Sequence, residues 1–236
     1  MPTASQSPNA LPLYVQISEL LIRDIAAGRL IDGERLPPER DMAEELGISI
    51  GTLRKALADL TEKGLLERIQ GSGNYIRQGG TQASVYAMFR LELLSGGGLP
   101  RADILTVDRM AKPGELPAFG TSNEGTRIRR LRYLNDVTIA VEEIWLDGNA
   151  GVVKRDLLSD SLYRYYQKQL GFWISHAEDR VTIGALPDWT PEAFQKPAGT
   201  ITGYIERYSW ADRPEAVEYS RTWFDTDRAH YVQRLK

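Results

Sequence analysis

The sequence predicts an α+β fold with two domains: a helix-turn-helix with a β-hairpin wing, then a mainly antiparallel sheet with helices. Apolar residues recur every three or four positions in the first third of the chain, and strand-like patterns follow. The length of 236 residues is enough for two domains that each bury a core. The predicted boundaries are a disordered tail over 1–10, the helix-turn-helix domain with its wing over 11–77, a linker over 78–83 and the sheet domain over 84–236.

Three helices are predicted in the first domain. The first covers Leu13–Ala27 and ends at Gly28. The second covers Glu39–Leu46 and ends at Gly47, because glycine adopts the left-handed conformation without strain. Ser49 is a favourable N-cap for the third helix. The core positions predicted for that helix are Leu53, Ala56, Leu57 and Leu60.

A β-hairpin is predicted directly after the third helix. Leu65–Ile69 and Asn74–Arg77 are its strands, and the glycine-containing turn Gln70–Gly73 joins them. Two helices joined by a tight turn and followed by such a wing are typical of proteins that place one helix in a DNA major groove.

The third helix begins with small, polar and cationic residues on the side away from its core. Such groups at the start of a recognition helix contact base edges and phosphates. We therefore expect double-stranded operator DNA as a partner; the alternative is a helical hairpin with a β-hairpin that binds no nucleic acid. The residues in question are Gly51, Thr52, Arg54 and Lys55.

Charge argues against a general nucleic-acid coat protein. The formal net charge is −3, and residues 1–78 contain 9 Lys and Arg against 11 Asp and Glu. Without a large basic patch, non-specific affinity is modest. DNA binding then depends on a few arginines at defined positions and on helix N-termini. It also depends on the pairing of two DNA-binding domains in a homodimer.

The second domain is predicted to contain six strands and a few short helices. Hairpin turns are expected at Asn135-Asp136 and Ala211–Arg213. The strands are Ile104–Met110, Thr126–Tyr133, Thr138–Leu146, Glu178–Ala185, Thr200–Trp210 and Ala216–Phe224. The helices are Tyr163–Leu170 and the shorter Pro113–Phe119 and Pro191–Phe194.

Two arginines suggest a site for a small anion in this domain. Arg130 and Arg132 are two positions apart, so on a strand both side chains lie on one face. Paired guanidinium groups suit a phosphate or a carboxylate. The alternative is that both lie on a solvated strand face.

Other polar residues add possible contacts for such a ligand. Asp160 is a predicted N-cap, which would leave the N–H groups after it free for an anion. Ser161 and Tyr163 offer hydroxyl donors, and Glu142 and Glu218 offer acceptors for ligand hydroxyls. Structural roles remain the alternative for all of them. Together these groups favour a small, anionic, hydroxyl-bearing effector such as a sugar phosphate.

Residues 11–77 resemble the winged helix-turn-helix of the GntR transcriptional regulators. The similarity rests on PPERDMA, ISIGTLRKAL and GSGNYI. It implies that Arg40 contacts phosphate or guanine and that Gly71 enters the minor groove. It also implies DNA contacts from Ser49, Thr52 and Arg54. Ile50 stands where many members carry arginine, and an apolar side chain there suits a thymine methyl group.

Residues 84–236 resemble the UTRA ligand-sensing domain of the HutC branch of that family, through IRRLRYLNDVTIAVEEIWL, SDSLYRYY and RYSWADRPEAVEYSRTWF. The resemblance implies a chorismate lyase-like fold, with Arg130 and Arg132 as effector-anion ligands. Phe89 and Phe224 are further candidate contacts for the effector, with core packing as their alternative. A carboxylate such as urocanate is the alternative effector.

Composition limits the remaining functions. The chain has no cysteine and only two isolated histidines, so we expect no disulfide, no catalytic residue, no cofactor and no metal. No signal peptide or membrane-spanning run is present, which predicts a cytoplasmic protein. Two other functions remain open: a dimeric interaction module without a small-molecule ligand, and a lyase-like enzyme carrying a DNA-binding appendage.

Overall fold

The computed structural model describes residues 11–26, 28–77, 88–158 and 161–233. The chain divides into two compact units. The first consists mainly of Leu11–Arg90 and the second mainly of Pro100–Tyr231; they are called the N-terminal and C-terminal units. The predicted tail, the linker and the N-cap Asp160 lie outside the described residues.

The N-terminal unit contains three helices followed by a two-stranded antiparallel hairpin, which confirms the predicted helix-turn-helix and wing. Its elements are α1 (Leu13–Ala26), α2 (Glu39–Glu45), α3 (Ile50–Glu62), β1 (Leu66–Ile69) and β2 (Gly73–Ile76).

The turn, cap and core residues predicted for this unit adopt their predicted structural roles. Gly47 has a φ of 63°, which permits the sharp turn between α2 and α3. The Oγ of Ser49 accepts a hydrogen bond from the N–H of Thr52 at 3.1 Å and so caps α3. The core combines one face of each helix with the hairpin, and all four predicted core positions of α3 are buried within it.

The C-terminal unit is built around a six-stranded antiparallel sheet in the order β4-β5-β6-β9-β8-β7. A separate two-stranded pair joins β3 to β10. The strands are β3 (Leu91–Leu93), β4 (Pro100–Ala111), β5 (Glu124–Leu134), β6 (Val137–Asp147), β7 (His176–Ala185), β8 (Ile201–Trp210), β9 (Glu218–Phe224) and β10 (Ala229–Tyr231). A short helix, α4 (Leu162–Tyr165), continues into a π-helical turn over Tyr166–Leu170.

This sheet confirms the predicted α+β class and includes all six predicted strands. The turn at Asn135-Asp136 is also confirmed: both residues have positive φ, at 48° and 63°, as a two-residue type I′ hairpin requires. The helix predicted over Pro113–Phe119 is wrong, because this segment is a turn and extended chain. Its two prolines and its glycine disfavour a continuous helix.

One glycine permits close packing across the sheet. Gly203 on β8 lies opposite Phe224 on β9, and a Cβ at position 203 would overlap the phenyl ring. The missing side chain therefore makes room for a buried aromatic residue.

We predict that Gly203→Ala destabilises the C-terminal unit by about 1–3 kcal/mol, the usual cost of overpacking. Thermal or urea unfolding measures the loss. The control is Gly114→Ala, since an added Cβ there has no atom within 4 Å. Equal stability of the two variants would contradict the packing described for Phe224.

Candidate functional site: a DNA-binding surface and an effector site

The predicted DNA contacts lie on the outer side of the helix-turn-helix. Arg40 on α2, Ser49 at the N-cap and the first turns of α3 are exposed, and Thr52 is half-buried beside its cap. Gly71 lies at the exposed tip of the wing with a φ of 76°. The exposed residues at the start of α3 are Ile50, Gly51, Arg54 and Lys55.

A carboxylate organises two cations on this surface. Glu39 accepts a hydrogen bond from Nε of Arg54 at 2.7 Å and pairs with Arg68 of the wing. The hydrogen bond from Arg54 is the main cause that lowers the pKa of Glu39, with the charge of Arg68 adding to it. Arg68 was not among the predicted contacts, because only the hairpin register brings it to α2.

The fold does not require glycine at position 51. Its φ lies outside the left-handed range, and the nearest atom to an added Cβ would be the Oγ of Ser49 at 3.8 Å. A larger side chain would fit the isolated protein, whereas close approach to another molecule would exclude it.

In the C-terminal unit, one face of the sheet gathers most of the predicted effector residues. Arg130 pairs with Glu142 across β5 and β6, and β9 and β8 continue the same row. Because side chains alternate along each strand, Arg132 and Glu218 share this face. The π-helical turn after α4 contacts it through the hydroxyl of Tyr166.

The two arginines are buried, at 4% and 3% exposure, so the alternative of a solvated strand face is wrong for them. Glu142 accepts hydrogen bonds from Nη2 of Arg130 at 2.6 Å and from Nε at 3.0 Å, and its carboxylate lies 3.6 Å from Nη1 of Arg132. Burial alone would raise the pKa of Glu142, but the charges of Arg130 and Arg132 outweigh it and lower the pKa. The site therefore holds a fixed carboxylate beside two fixed cations.

Glu218 has a different environment on the same face. It accepts hydrogen bonds from the hydroxyls of Tyr166 at 2.6 Å and Ser209 at 2.9 Å, with Tyr163 at 3.4 Å. Burial raises its pKa, and these bonds and the nearby arginines only partly offset that effect. Burial and the charge of Glu218 also raise the pKa of Tyr163 to about 12, so its hydroxyl remains a donor at neutral pH.

The remaining predicted residues are placed differently. Ser161 is itself the N-cap of α4: its Oγ accepts a hydrogen bond from the N–H of Arg164 at 3.3 Å. The cap of α4 is therefore Ser161, while Asp160 lies outside the described residues. Phe224 is buried on the same sheet face and packs over Gly203. Phe89 belongs to the N-terminal unit, where Arg23 lies over its ring.

Sequence inspection missed several members of this cluster, namely Tyr166, Asp179, Arg207 and Ser209. Arg207 and Ser209 are two apart on β8, the same spacing that identified Arg130 and Arg132, but nothing in the sequence shows which face of β8 is buried. Among the described residues, no group of three or more His, Asp or Glu side chains is placed to hold a metal ion.

Comparison with known proteins identifies both units. Residues 13–76 match the bacterial regulatory proteins of the gntR family, and residues 95–230 match the UTRA domain. The chain belongs to the GntR family. It is 56% identical over 228 residues to the HTH-type transcriptional regulator SmoD of Agrobacterium fabrum, an alignment covering 96% of this chain and 97% of that protein. This GntR-family protein is thus a transcriptional regulator with a UTRA domain and not an enzyme.

Two more distant similarities agree with this conclusion. The HTH-type transcriptional repressor NagR of Bacillus subtilis is 28% identical over 239 residues, covering 98% of each chain. The solved structure of the possible transcriptional regulator YydK, also from Bacillus subtilis, superposes with a TM-score of 0.53 at 21% identity. That alignment covers 96% of this chain and 100% of YydK, and at this identity it shows the shared fold alone.

The family membership predicted from the sequence, GntR with a UTRA domain of the HutC type, is confirmed. GntR-family regulators bind DNA operators through the N-terminal unit. No helix in the described part of the chain is long and apolar enough to cross a membrane.

The environment of Glu218 predicts a pH effect. Because its pKa is raised in the native state, the buried carboxyl adds stability below its ordinary pKa of about 4.3, and this contribution is lost as the pH rises. Glu218→Gln stays uncharged, so its free energy of unfolding should increase relative to the wild type between pH 4 and pH 7. Urea unfolding across this range measures the difference. A constant difference, as expected for the exposed control Glu115→Gln, would contradict the assignment.

Proposed function

We propose that the protein is a homodimeric repressor that leaves a near-palindromic operator when a small anionic metabolite binds the UTRA domain. A phosphorylated sugar is the favoured ligand, with a carboxylate such as urocanate as the alternative. The observation that carries this proposal is the buried cluster of Arg130, Arg132 and Glu142, facing the hydroxyls of Tyr163 and Tyr166 near Glu218. The name of NagR, a repressor, supports the direction of regulation.

The polar chemistry of the cluster supports ligand binding over a purely structural role. Burying a cation costs several kcal/mol, and replacing buried ion pairs by apolar side chains is often neutral or stabilising. A sheet face covered only for stability would be apolar. Guanidinium groups next to a carboxylate and hydroxyl groups instead suit an anionic group attached to a hydroxylated carbon chain. We assign Ser161 and Phe224 to the margin of this proposed site.

On the DNA side, we assign base and phosphate contacts to Arg40, Ser49, Thr52, Arg54 and Lys55. Ile50 contacts a thymine methyl group, and Gly51 and Gly71 allow close approach to the grooves.

Dimerisation through the UTRA domains sets two recognition helices about 34 Å apart, or a multiple of that distance, on the operator. A coupling free energy of about 1–3 kcal/mol lowers operator affinity roughly 5- to 150-fold when the ligand binds.

We expect Arg54→Ala to weaken binding to a duplex from the protein's own upstream region. Loss of one phosphate contact should also reduce the slope of log K against log salt by about one. Fluorescence anisotropy at several salt concentrations measures both quantities. The control Arg180→Ala removes an exposed cation from the UTRA domain. An unchanged isotherm for Arg54→Ala would refute its assignment.

Arg130→Ala with Arg132→Ala should abolish the response to ligand while operator affinity stays unchanged. A first probe is glucose 6-phosphate, added to the protein–operator complex. The double variant leaves Glu142 buried without these cations, so a triple variant with Glu142→Ala is measured beside it. Release of either folded variant by the probe, at wild-type concentrations, would contradict the proposed site.

A further inference from the structure

Arg207 is a third largely buried arginine on the sheet face that carries the proposed effector site. Its Nε and Nη2 donate to the two carboxylate oxygens of Asp179, the latter at 2.7 Å, and its guanidinium also reaches the hydroxyl of Tyr163. Its side chain is 16% exposed. Arg207 is not among the predicted effector residues. It also has no role in the proposed binding of an anion by Arg130 and Arg132, which we call the anion seat.

Arg207 lies on the same sheet face as Arg130 but on a different strand. Arg130 lies on β5 and Arg207 on β8, with β6 and β9 between them. Three strand spacings correspond to about 14 Å between the two backbones. The acceptors Glu142 and Glu218 occupy the space between. A chain of several hydroxylated carbons can extend from Arg130 towards Arg207.

Charge distinguishes the two ends. Arg130 and Arg132 both lie beside Glu142, so two cations stand at the first end. Arg207 and Asp179 form a bidentate pair with no net charge. An anionic group is therefore favoured at the first end, while the second end favours an uncharged oxygen.

Asp179 is held in place from a second direction. The hydroxyl of Tyr231 on β10 donates to its Oδ2 at 2.7 Å. The carboxylate is thus hydrogen-bonded both to Arg207 and to the strand pair β3–β10, so its position on this face is fixed. A carboxylate on the ligand would have to compete with this fixed charge.

We propose that Arg207 is a specificity-determining residue that binds an uncharged oxygen, a hydroxyl or carbonyl, at the end of the ligand opposite its anionic group. Asp179 neutralises Arg207 and so excludes ligands that are acidic at both ends. The ligand class is a phosphorylated polyhydroxy compound about as long as a hexose. This inference rests on the proposed function and extends it, since the anion seat at Arg130 and Arg132 fixes the orientation of the ligand.

The first test compares a long and a short probe on the full-length protein. Isothermal titration with glucose 6-phosphate and with inorganic phosphate should give tighter binding of the sugar phosphate. Arg207→Ala should weaken glucose 6-phosphate roughly tenfold, the loss of one hydrogen bond to a charged donor, and leave inorganic phosphate unchanged. Arg130→Ala should weaken both probes. Arg180→Ala, on the other face of the sheet, should weaken neither.

Removing Arg207 alone leaves Asp179 without its cation, so the neutral double variant Arg207→Gln with Asp179→Asn is the companion. It should show the same selective loss of glucose 6-phosphate and a wild-type melting temperature. Unchanged affinity of both folded variants for glucose 6-phosphate would overturn the inference.

The second test reverses the charge preference. Asp179→Asn keeps the shape of the side chain and frees the charge of Arg207. It should therefore raise the affinity for 6-phosphogluconate, which carries a carboxylate at the far end, relative to glucose 6-phosphate by about tenfold. An unchanged ratio would show that Asp179 does not set this preference and would overturn the inference.

These outcomes separate the inference from the proposed function. If Arg130→Ala weakens glucose 6-phosphate but Arg207→Ala does not, the anion seat stands and the role of Arg207 is refuted. If neither Arg130→Ala nor Arg132→Ala changes the binding of any phosphate, the proposed effector site itself fails, and the inference fails with it.

Discussion

The C-terminal unit is organised around the contact of one carboxylate, Glu142, with two buried arginines. Removing these charges from water costs several kcal/mol per ion, and the fold recovers this only through close geometry. Glu142 accepts two hydrogen bonds from Arg130 and lies within 3.6 Å of Arg132. The hydroxyls of Tyr166 and Ser209 likewise donate hydrogen bonds to the carboxylate of Glu218. This face of the sheet is thus polar and preformed, and burying its charges costs free energy. Such a face is expected of a binding site more than of a core.

The N-terminal region has no net positive charge, since residues 1–78 contain 9 Lys and Arg against 11 Asp and Glu. Its few cations are fixed in position, as shown by Glu39, which holds Arg54 of the recognition helix and Arg68 of the wing. Such an arrangement limits non-specific binding, because few phosphates can be neutralised at once. In the proposed homodimer, affinity for one sequence depends on two copies of the unit acting together, so a modest change in dimer geometry would be enough to release the operator.

The sequence predicted the N-terminal unit and the positions of the six main strands along the chain well, because their signals are local. Each of these signals acts within a few residues. They are the helix period, the cap at Ser49, the glycine at position 47 and the turn at Asn135-Asp136. The short strands β3 and β10 were missed because they pair across more than 130 residues. Arg207 and Asp179 were left out for a related reason: only the pairing registers from β5 through β6, β9 and β8 to β7 place them on the face of Arg130.

The central claim is that one chain couples a metabolite site to operator binding, and thermodynamic reciprocity tests it most directly. Isothermal titration measures the affinity of glucose 6-phosphate for the free protein and for the protein saturated with its operator duplex. The account predicts that the operator weakens ligand binding by the same factor by which the ligand weakens operator binding, within about 5- to 150-fold. Equal ligand affinity with and without operator would contradict it.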